Sequence, residues 1–268
     1  KGRISEGRKF ILIDESGVIV SHYIHFEGEY EKMLEAASPK FNFPEFDENT
    51  RATTFYTTGT TGLPKGVYFS HRQLVLHTLT SVGALASPAV QGRIHRDSVY
   101  MPLTPMFHVH AWGIPYIATY LGIKQVYPGK YVPSVLLNLL KSHKVTFSHC
   151  VPTILNMLLK APEAANFDFS GWTCVIGGAA LQKSIALQSV KRGIDVYVGY
   201  GLSETCPVLA LSFLTSEELE FTPEEQVDSR CRTGKPVGMV QIRVINEEGK
   251  DVLQDDKTPG EIIVRAPW

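Results

Sequence analysis

The chain has 268 residues, 44% of them hydrophobic, and a net charge of -1. That length suffices for one large domain or two smaller ones with proper cores, and so even a charge balance gives no pull toward nucleic acid or an anionic membrane surface. The four cysteines, Cys150, Cys174, Cys206 and Cys231, lie far apart with no Cys-x-x-Cys pair, so neither a zinc site nor a redox motif is indicated.

Lys9 to Asp14 reads as a short buried strand closed by Ser16-Gly17. Glu29 to Ala37 has helical composition and stops at Ser38-Pro39. Residues 38–51, with their prolines and acids, read as a surface connection. A strand is expected over Ala52 to Tyr56, then a loop rich in threonine and glycine, then an apolar run from Val67 to Phe69. His71 to Ala86 is predicted as a helix because Leu74, Val75, Leu79, Val82 and Leu85 recur at helical spacing. His71 at its start is read as a capping or packing residue.

Val99 to Leu103 reads as a strand end, and Phe107 to Leu121 as an apolar stretch with His108, His110, Trp112 and Gly113 early in it. Short strands are expected at Lys124 to Tyr127, Val145 to Phe147, Thr173 to Ile176 and Asp195 to Val198. Helices are expected at Pro133 to His143, Pro152 to Lys160 and Lys183 to Arg192. This alternation predicts an α/β fold with a parallel sheet flanked by helices. Beyond Leu211 the character changes: Ser216 to Ser229 is acidic and helix-prone, and its acids read as a solvated face. Val240 to Ile245 and Glu261 to Val264 then alternate as a β-rich unit does. The expected division is 1–215 for an α/β region and 216–268 for a connection and the start of the β-rich part.

Four stretches carry chemistry. The first is Tyr56-Thr57-Thr58-Gly59-Thr60-Thr61-Gly62-Leu63-Pro64-Lys65-Gly66. Its glycines let backbone N–H groups approach an anion, its threonines add hydroxyl donors, and Lys65 adds a mobile cation. It is not the ordinary P-loop, which needs Ser or Thr after the Lys and a helix to follow. A Thr/Gly-rich surface turn is the plain alternative. The second is Gly199-Tyr200-Gly201-Leu202-Ser203-Glu204-Thr205, expected just after a strand, where α/β sheets bind ligands. It offers a ring to stack on and a carboxylate suited to a hard cation. The third, Gly177-Gly178-Ala179-Ala180, is a tight turn whose small residues would also admit a flat ring. The fourth is Pro105 to Gly113, where His108 is either functional or a buried structural histidine, and Trp112 either functional or core packing. The remaining histidines show no metal-ligand spacing.

The first stretch resembles the signature loop of the AMP-forming adenylate-forming superfamily. Its flanks, Tyr30-Glu31-Lys32-Met33-Leu34 and Tyr68-Phe69-Ser70-His71-Arg72, most resemble medium- and long-chain fatty-acyl-CoA synthetases. The resemblance covers nearly the whole chain but about half of a full-length member, so the chain reads as an excerpt of that family's large N-terminal domain, with the start of its β-barrel at the C-terminal end. It implies ATP, Mg²⁺ and CoA as cofactor and co-substrates and a fatty acid as substrate. Thr57, Thr58, Gly59, Thr60, Thr61, Gly62 and Lys65 would cradle phosphates. Gly177, Gly178 and Ala179 would flank adenine, with Gly199, Tyr200, Gly201 and Leu202 on its other side. Ser203 would contact the α-phosphate, and Thr58 and Glu204 would hold the metal. His108, Trp112 and Gly113 would wall the acyl pocket, with His108 beside the reacting carboxylate. Lys65, Glu204 and His108 are thus the implied catalytic residues. Amino-acid-activating relatives carry Asp where His108 stands, so the substrate is expected to lack an ammonium group.

The implied reaction is adenylation of a carboxylate with loss of pyrophosphate, then acyl transfer to the CoA thiol. A ribose-binding Asp segment and a small C-terminal domain with the catalytic lysine are expected beyond Trp268, so the excerpt alone is expected to be inactive. A carrier-protein acceptor and a non-catalytic nucleotide-binding module remain the alternatives. No signal peptide or membrane-spanning run is visible, and a reduced, cytoplasmic setting is expected. A homodimer is possible in the full-length protein.

Overall fold

The computed structural model describes residues 11–12, 27–57, 63–88, 91–255 and 257–268. They fall in two compact units, Lys1–Phe46 and Asp47–Trp268. In the first, Ile11–Leu12 (β1) pairs in parallel with Gly28–Glu29 (β2), and Tyr30–Ala36 (α1) follows. The Glu29 carboxylate accepts from the backbone N–H groups of Glu31 (3.2 Å) and Lys32 (3.0 Å). These are donors that a helix start leaves unpaired, so the expected helix begins one residue in, with Glu29 as its cap. The rest of the expected strand at Lys9 to Asp14 lies outside the described residues.

The second unit opens on a hairpin. Arg51–Thr57 (β3) and Lys65–Ser70 (β4) run antiparallel, with Thr57 opposite Lys65. Ser70 then caps His71–Ala86 (α2): Ser70 Oγ accepts from Gln73 N (3.2 Å), and Gln73 Oε1 accepts from Ser70 N (2.8 Å). This is a capping box, so Ser70 is the cap and His71 the first helical residue. The helix lies where its spacing predicts, yet its apolar stripe is not its buried face. Val75 and Leu79 are 56% and 43% exposed, while His77, Thr78, Thr80 and Ser81 are buried beside Leu85. Buried polar groups survive where they find partners. Thr78 Oγ1 donates to Leu74 O (2.7 Å), and His77 Nε2 accepts from Val208 N (3.1 Å).

The main sheet has seven strands: Val99–Pro102 (β5), Lys124–Gln125 (β6), Phe147–Cys150 (β7), Thr173–Ile176 (β8), Asp195–Gly201 (β9), Val208–Leu211 (β10) and Lys235–Pro236 (β11). Their order is β11-β10-β9-β8-β7-β5-β6. The five from β9 to β6 are parallel; β10 is antiparallel to β9, and β11 to β10. The helices are Val109–Trp112 (α3), Ile114–Leu121 (α4), Pro133–Ser142 (α5), Pro152–Lys160 (α6), Lys183–Lys191 (α7), Ser216–Leu219 (α8) and Pro223–Arg230 (α9). Gln241–Ile245 (β12) and Glu261–Arg265 (β13) close the chain as a separate antiparallel pair.

Alternation along the strands divides the core in two. Met101, Cys150, Cys174, Ile176, Val196 and Val198 join one buried cluster, and Tyr100, Phe147, Val175 and Tyr197 the other, as a period of two requires when both faces are covered. β7 lies two residues later than its apolar pattern predicts. Ser148, His149 and Cys150 are fully buried in it, and polar side chains inside a strand give no apolar signal. Likewise β9 runs on through Gly201 because the unforeseen β10 gives it an antiparallel partner.

The start of β9 is locked to its surroundings by one side chain. Arg230, at the end of α9, donates to Asp195 Oδ1 and to Val196 O (both 2.7 Å), and its Nε and Nη2 donate to Gln226 Oε1 at 3.1 and 2.9 Å. Asp195 also accepts from Gly92 N (2.8 Å) and Gln91 Nε2 (3.0 Å), and Gln91 Oε1 accepts from Leu214 N (2.6 Å).

Candidate functional site

Parallel strands end in loops at one edge of a sheet, and that edge is where such folds bind ligands. Here β8 leads into Gly177 and Gly178, β9 ends on Gly199-Tyr200-Gly201, and β7 ends beside them. A cavity of about 530 Å³ opens at this edge.

The cavity gathers most of the residues singled out in the sequence. Thr57 and Lys65, from the stretch rich in threonine and glycine, line it together with Gly177, Gly178, Gly199, Tyr200, Gly201, Leu202, Ser203, Glu204, His108 and Trp112. Thr58, Gly59, Thr60, Thr61 and Gly62 lie outside the described residues. Ala179 is exposed and does not line the cavity. Gly113 does not line it either: it is a left-handed cap (φ 74°) with His77 against its α-carbon, so that an added Cβ would meet His77 Cε1 at 3.1 Å.

The second stretch does not simply follow a strand; its first three residues are the strand's end. A Cβ on Gly201 would overlap the carbonyl oxygen of Pro207, and one on Gly177 would lie 2.8 Å from Gly199 O and 3.0 Å from Trp112 Cη2. Only glycine lets these backbones approach so closely. Ser203–Thr205 is a single 3₁₀ turn. Thr205 Oγ1 accepts from Leu202 N (3.0 Å) and donates to Pro207 O (2.7 Å), which fixes the turn that presents Glu204. Trp268 Nε1 donates to Thr205 O at 2.7 Å, and its ring lies edge-on to His77 with centroids 5.4 Å apart.

His108 is exposed and lines the cavity, an arrangement at odds with a buried structural histidine. After it the chain coils in the left-handed sense: Val109, His110, Ala111 and Trp112 have φ of 50, 55, 47 and 59°. Such a run costs L-residues about 1–2 kcal/mol each, and it gives Trp112 its place on the cavity wall while His110 turns back to Thr53 Oγ1 (2.7 Å). An Ala→Gly change in a helix interior normally costs about 1 kcal/mol. At Ala111 the glycine relieves left-handed strain instead, so Ala111→Gly should hold or raise the unfolding temperature; a drop of several degrees on calorimetry would contradict this.

Three histidines were not foreseen as part of this architecture. His77 and His149 are buried, and loss of solvation lowers both to about 3. His110 is lowered by burial too. His149, at the end of β7, lines the cavity, as does Ser81 of α2. Its Nε2 lies 2.6 Å from the Tyr100 hydroxyl. A histidine amid Ser and Cys carries no motif, so nothing in the sequence marked it. Among the described residues no group of three or more His, Cys, Asp or Glu forms a ready metal cage.

A protein-family model described as AMP-binding enzyme matches residues 6–268. The chain is 36% identical over 271 residues to a long-chain-fatty-acid–CoA ligase of Thermus thermophilus, covering 100% of this chain and 47% of that protein. It is 35% identical over 271 residues to a 3-methylmercaptopropionyl-CoA ligase of Ruegeria lacuscaerulensis, covering 100% of this chain and 49% of that one. The chain therefore spans about half the length of these curated relatives. Among solved structures, the N-terminal domain of FACL13 from Mycobacterium tuberculosis superposes with a TM-score of 0.73 at 22% identity, over 90% of this chain and 57% of that one. That likeness shows the fold: a mostly parallel sheet flanked by helices.

Proposed function

The chain belongs to the AMP-binding enzyme family, and from that premise we propose that the full-length protein is an AMP-forming fatty-acyl-CoA ligase. One observation carries the reading. Thr57 and Lys65 from the β3–β4 hairpin share a single cavity with the Gly177-Gly178 turn, Tyr200 and Glu204. Hydrogen-bond donors for phosphate, a glycine-lined wall, an aromatic ring and a carboxylate are what a nucleoside triphosphate needs within one molecule's length.

In this reading Tyr200 stacks on the adenine and the Gly177-Gly178 backbone closes its other face. Ser203 donates to the α-phosphate. Lys65 and the Thr57–Gly62 loop hold the β- and γ-phosphates against their mutual repulsion. The Glu204 carboxylate fits a hard cation: it lines the cavity close in sequence to Ser203, and with the Thr58 hydroxyl it would hold Mg²⁺. That ion supplies further neutralisation of phosphate charge. Trp112 and His108 place the acid's carboxylate for in-line attack on the α-phosphorus. The protein needs no nucleophile of its own; it positions the reactants and offsets charge. CoA is the second co-substrate, its thiol taking the acyl group as AMP leaves.

The test is pyrophosphate exchange by the full-length protein with ATP, Mg²⁺ and a series of fatty acids, followed by thioester formation on CoA or on an acyl-carrier protein. Exchange that depends on the fatty acid, with transfer to CoA, is expected. Transfer to the carrier protein alone would replace the acceptor in this reading, and ATP binding without exchange would leave a nucleotide-binding module.

A further inference from the structure

The Glu204 carboxylate has nothing of its own to hold it. It is exposed and lines the cavity, and among the described residues its side chain makes no hydrogen bond or ion pair. The backbone beneath it therefore decides where it stands. That backbone has few of the bonds a sheet or helix supplies. Ser203–Thr205 is one 3₁₀ turn, closed by Thr205 N donating to Leu202 O at 3.0 Å. Cys206 follows with φ of 76°, and the register between β9 and β10 shifts just beyond it.

Two side chains from distant parts of the chain tie this segment down. Trp268, which follows β13, donates from Nε1 to Thr205 O at 2.7 Å. His77 of α2 accepts from Val208 N through Nε2 at 3.1 Å. The two rings meet edge to face with centroids 5.4 Å apart, so the bonds on either side of Cys206 and Pro207 share one support. Neither Trp268, His77 nor Thr205 lines the cavity. They stand behind its wall and reach a ligand only through the turn.

We infer that Trp268 is a positioning residue: braced by His77, its indole N–H pins the turn from which Glu204 reaches the cation bound with ATP. The inference rests on the ligase reading, in which Glu204 holds Mg²⁺. Removing a group that orients a metal ligand typically costs about 10–100-fold in metal affinity. Tyr200 and the Gly177-Gly178 turn are placed by β9 and β8 instead, so the purine's share of the binding does not depend on Trp268.

The experiment titrates a non-hydrolysable ATP analogue into the full-length protein by calorimetry, once with Mg²⁺ and once with EDTA. The ratio of the two Kd values is the gain that the cation brings. Trp268→Phe keeps an aromatic ring against His77 and removes only the donor. It should cut that gain by about tenfold and leave the affinity in EDTA, the internal control in every variant, unchanged. Fatty-acid-dependent pyrophosphate exchange should then need correspondingly more Mg²⁺ to reach half its maximum. Trp172→Phe is the matched control. Trp172 Nε1 donates to Ser148 Oγ at 3.0 Å in the core, at the opposite end of β8 from the glycine turn, so losing that donor should leave the gain untouched. Thr205→Val unties the same turn from within; it should reproduce Trp268→Phe, and replaces it if that variant does not fold. A gain that Trp268→Phe leaves at the wild-type value, or that both tryptophan variants reduce alike, overturns the inference while the ligase reading stands. A wild type that exchanges pyrophosphate but binds no tighter with Mg²⁺ removes Glu204 from the cation, and the inference with it. A wild type that neither binds the analogue nor exchanges overturns the ligase reading itself.

Discussion

Lys65→Ala in the full-length protein should lower pyrophosphate exchange by about two orders of magnitude, the scale seen when one preorganised donor to developing charge is removed. Lys65 is the only Lys or Arg among the described residues that line the cavity. It opens β4 directly across from Thr57, so the hairpin itself sets where its ammonium stands. The side chain is exposed and makes no ion pair among those observed, so the fold should lose less than about 0.5 kcal/mol. Exchange within threefold of wild type, at unchanged thermal stability, would remove Lys65 from the phosphate site and weaken the whole nucleotide assignment.

The largest stability effect is expected at Arg230. Its side chain is 6% exposed and is paired with Asp195. Arg230→Met removes the cation from Asp195, which keeps Gly92 N and Gln91 Nε2 as donors, and takes the guanidinium bonds from Val196 O and Gln226 Oε1. Breaking a buried pair from one side costs about 3–5 kcal/mol, which corresponds to roughly 10 °C in unfolding temperature for a domain of this size. Lys183–Asp228 supplies the control: its side chains are 68% and 65% exposed at 2.6 Å, and Lys183→Ala should cost less than about 1 kcal/mol. Equal losses at the two positions on calorimetry would show that the network at β9 is no lock. The same strand carries Gly199, Tyr200 and Gly201 at its other end, so Arg230→Met should also weaken nucleotide binding without touching the cavity.

Most of the fold was legible because parallel α/β chains write their elements as alternating apolar runs. The helix over Pro152–Lys160 and the strand over Thr173–Ile176 fall where the pattern predicts. What was illegible has one cause in several places. β7 buries Ser148 and His149, and α2 buries His77, Thr80 and Ser81, so polarity gave the wrong face or the wrong register. The edge strand β11, of two residues, is too short to stand out, and β10 beside it runs antiparallel, outside the alternation of strand and helix that marks the parallel strands. Of the candidate site, the glycine, threonine and acidic residues were visible because their chemistry is concentrated in a few consecutive positions. His149 and Ser81 were not, since each reaches the cavity alone from a different element. Ala179 and Gly113 share their neighbours' motifs but not their place on the cavity wall.

The mirror-image coil over Val109–Trp112 governs how the indole beside the cavity can move. To merge with the ordinary screw of α4, each of its four residues would have to carry φ from between 47 and 59° to negative values, through a region where carbonyl and side chain collide. Any such change has to move four consecutive residues together, so the indole, buried against His149 and Gly177, is held in place from both its backbone and its ring.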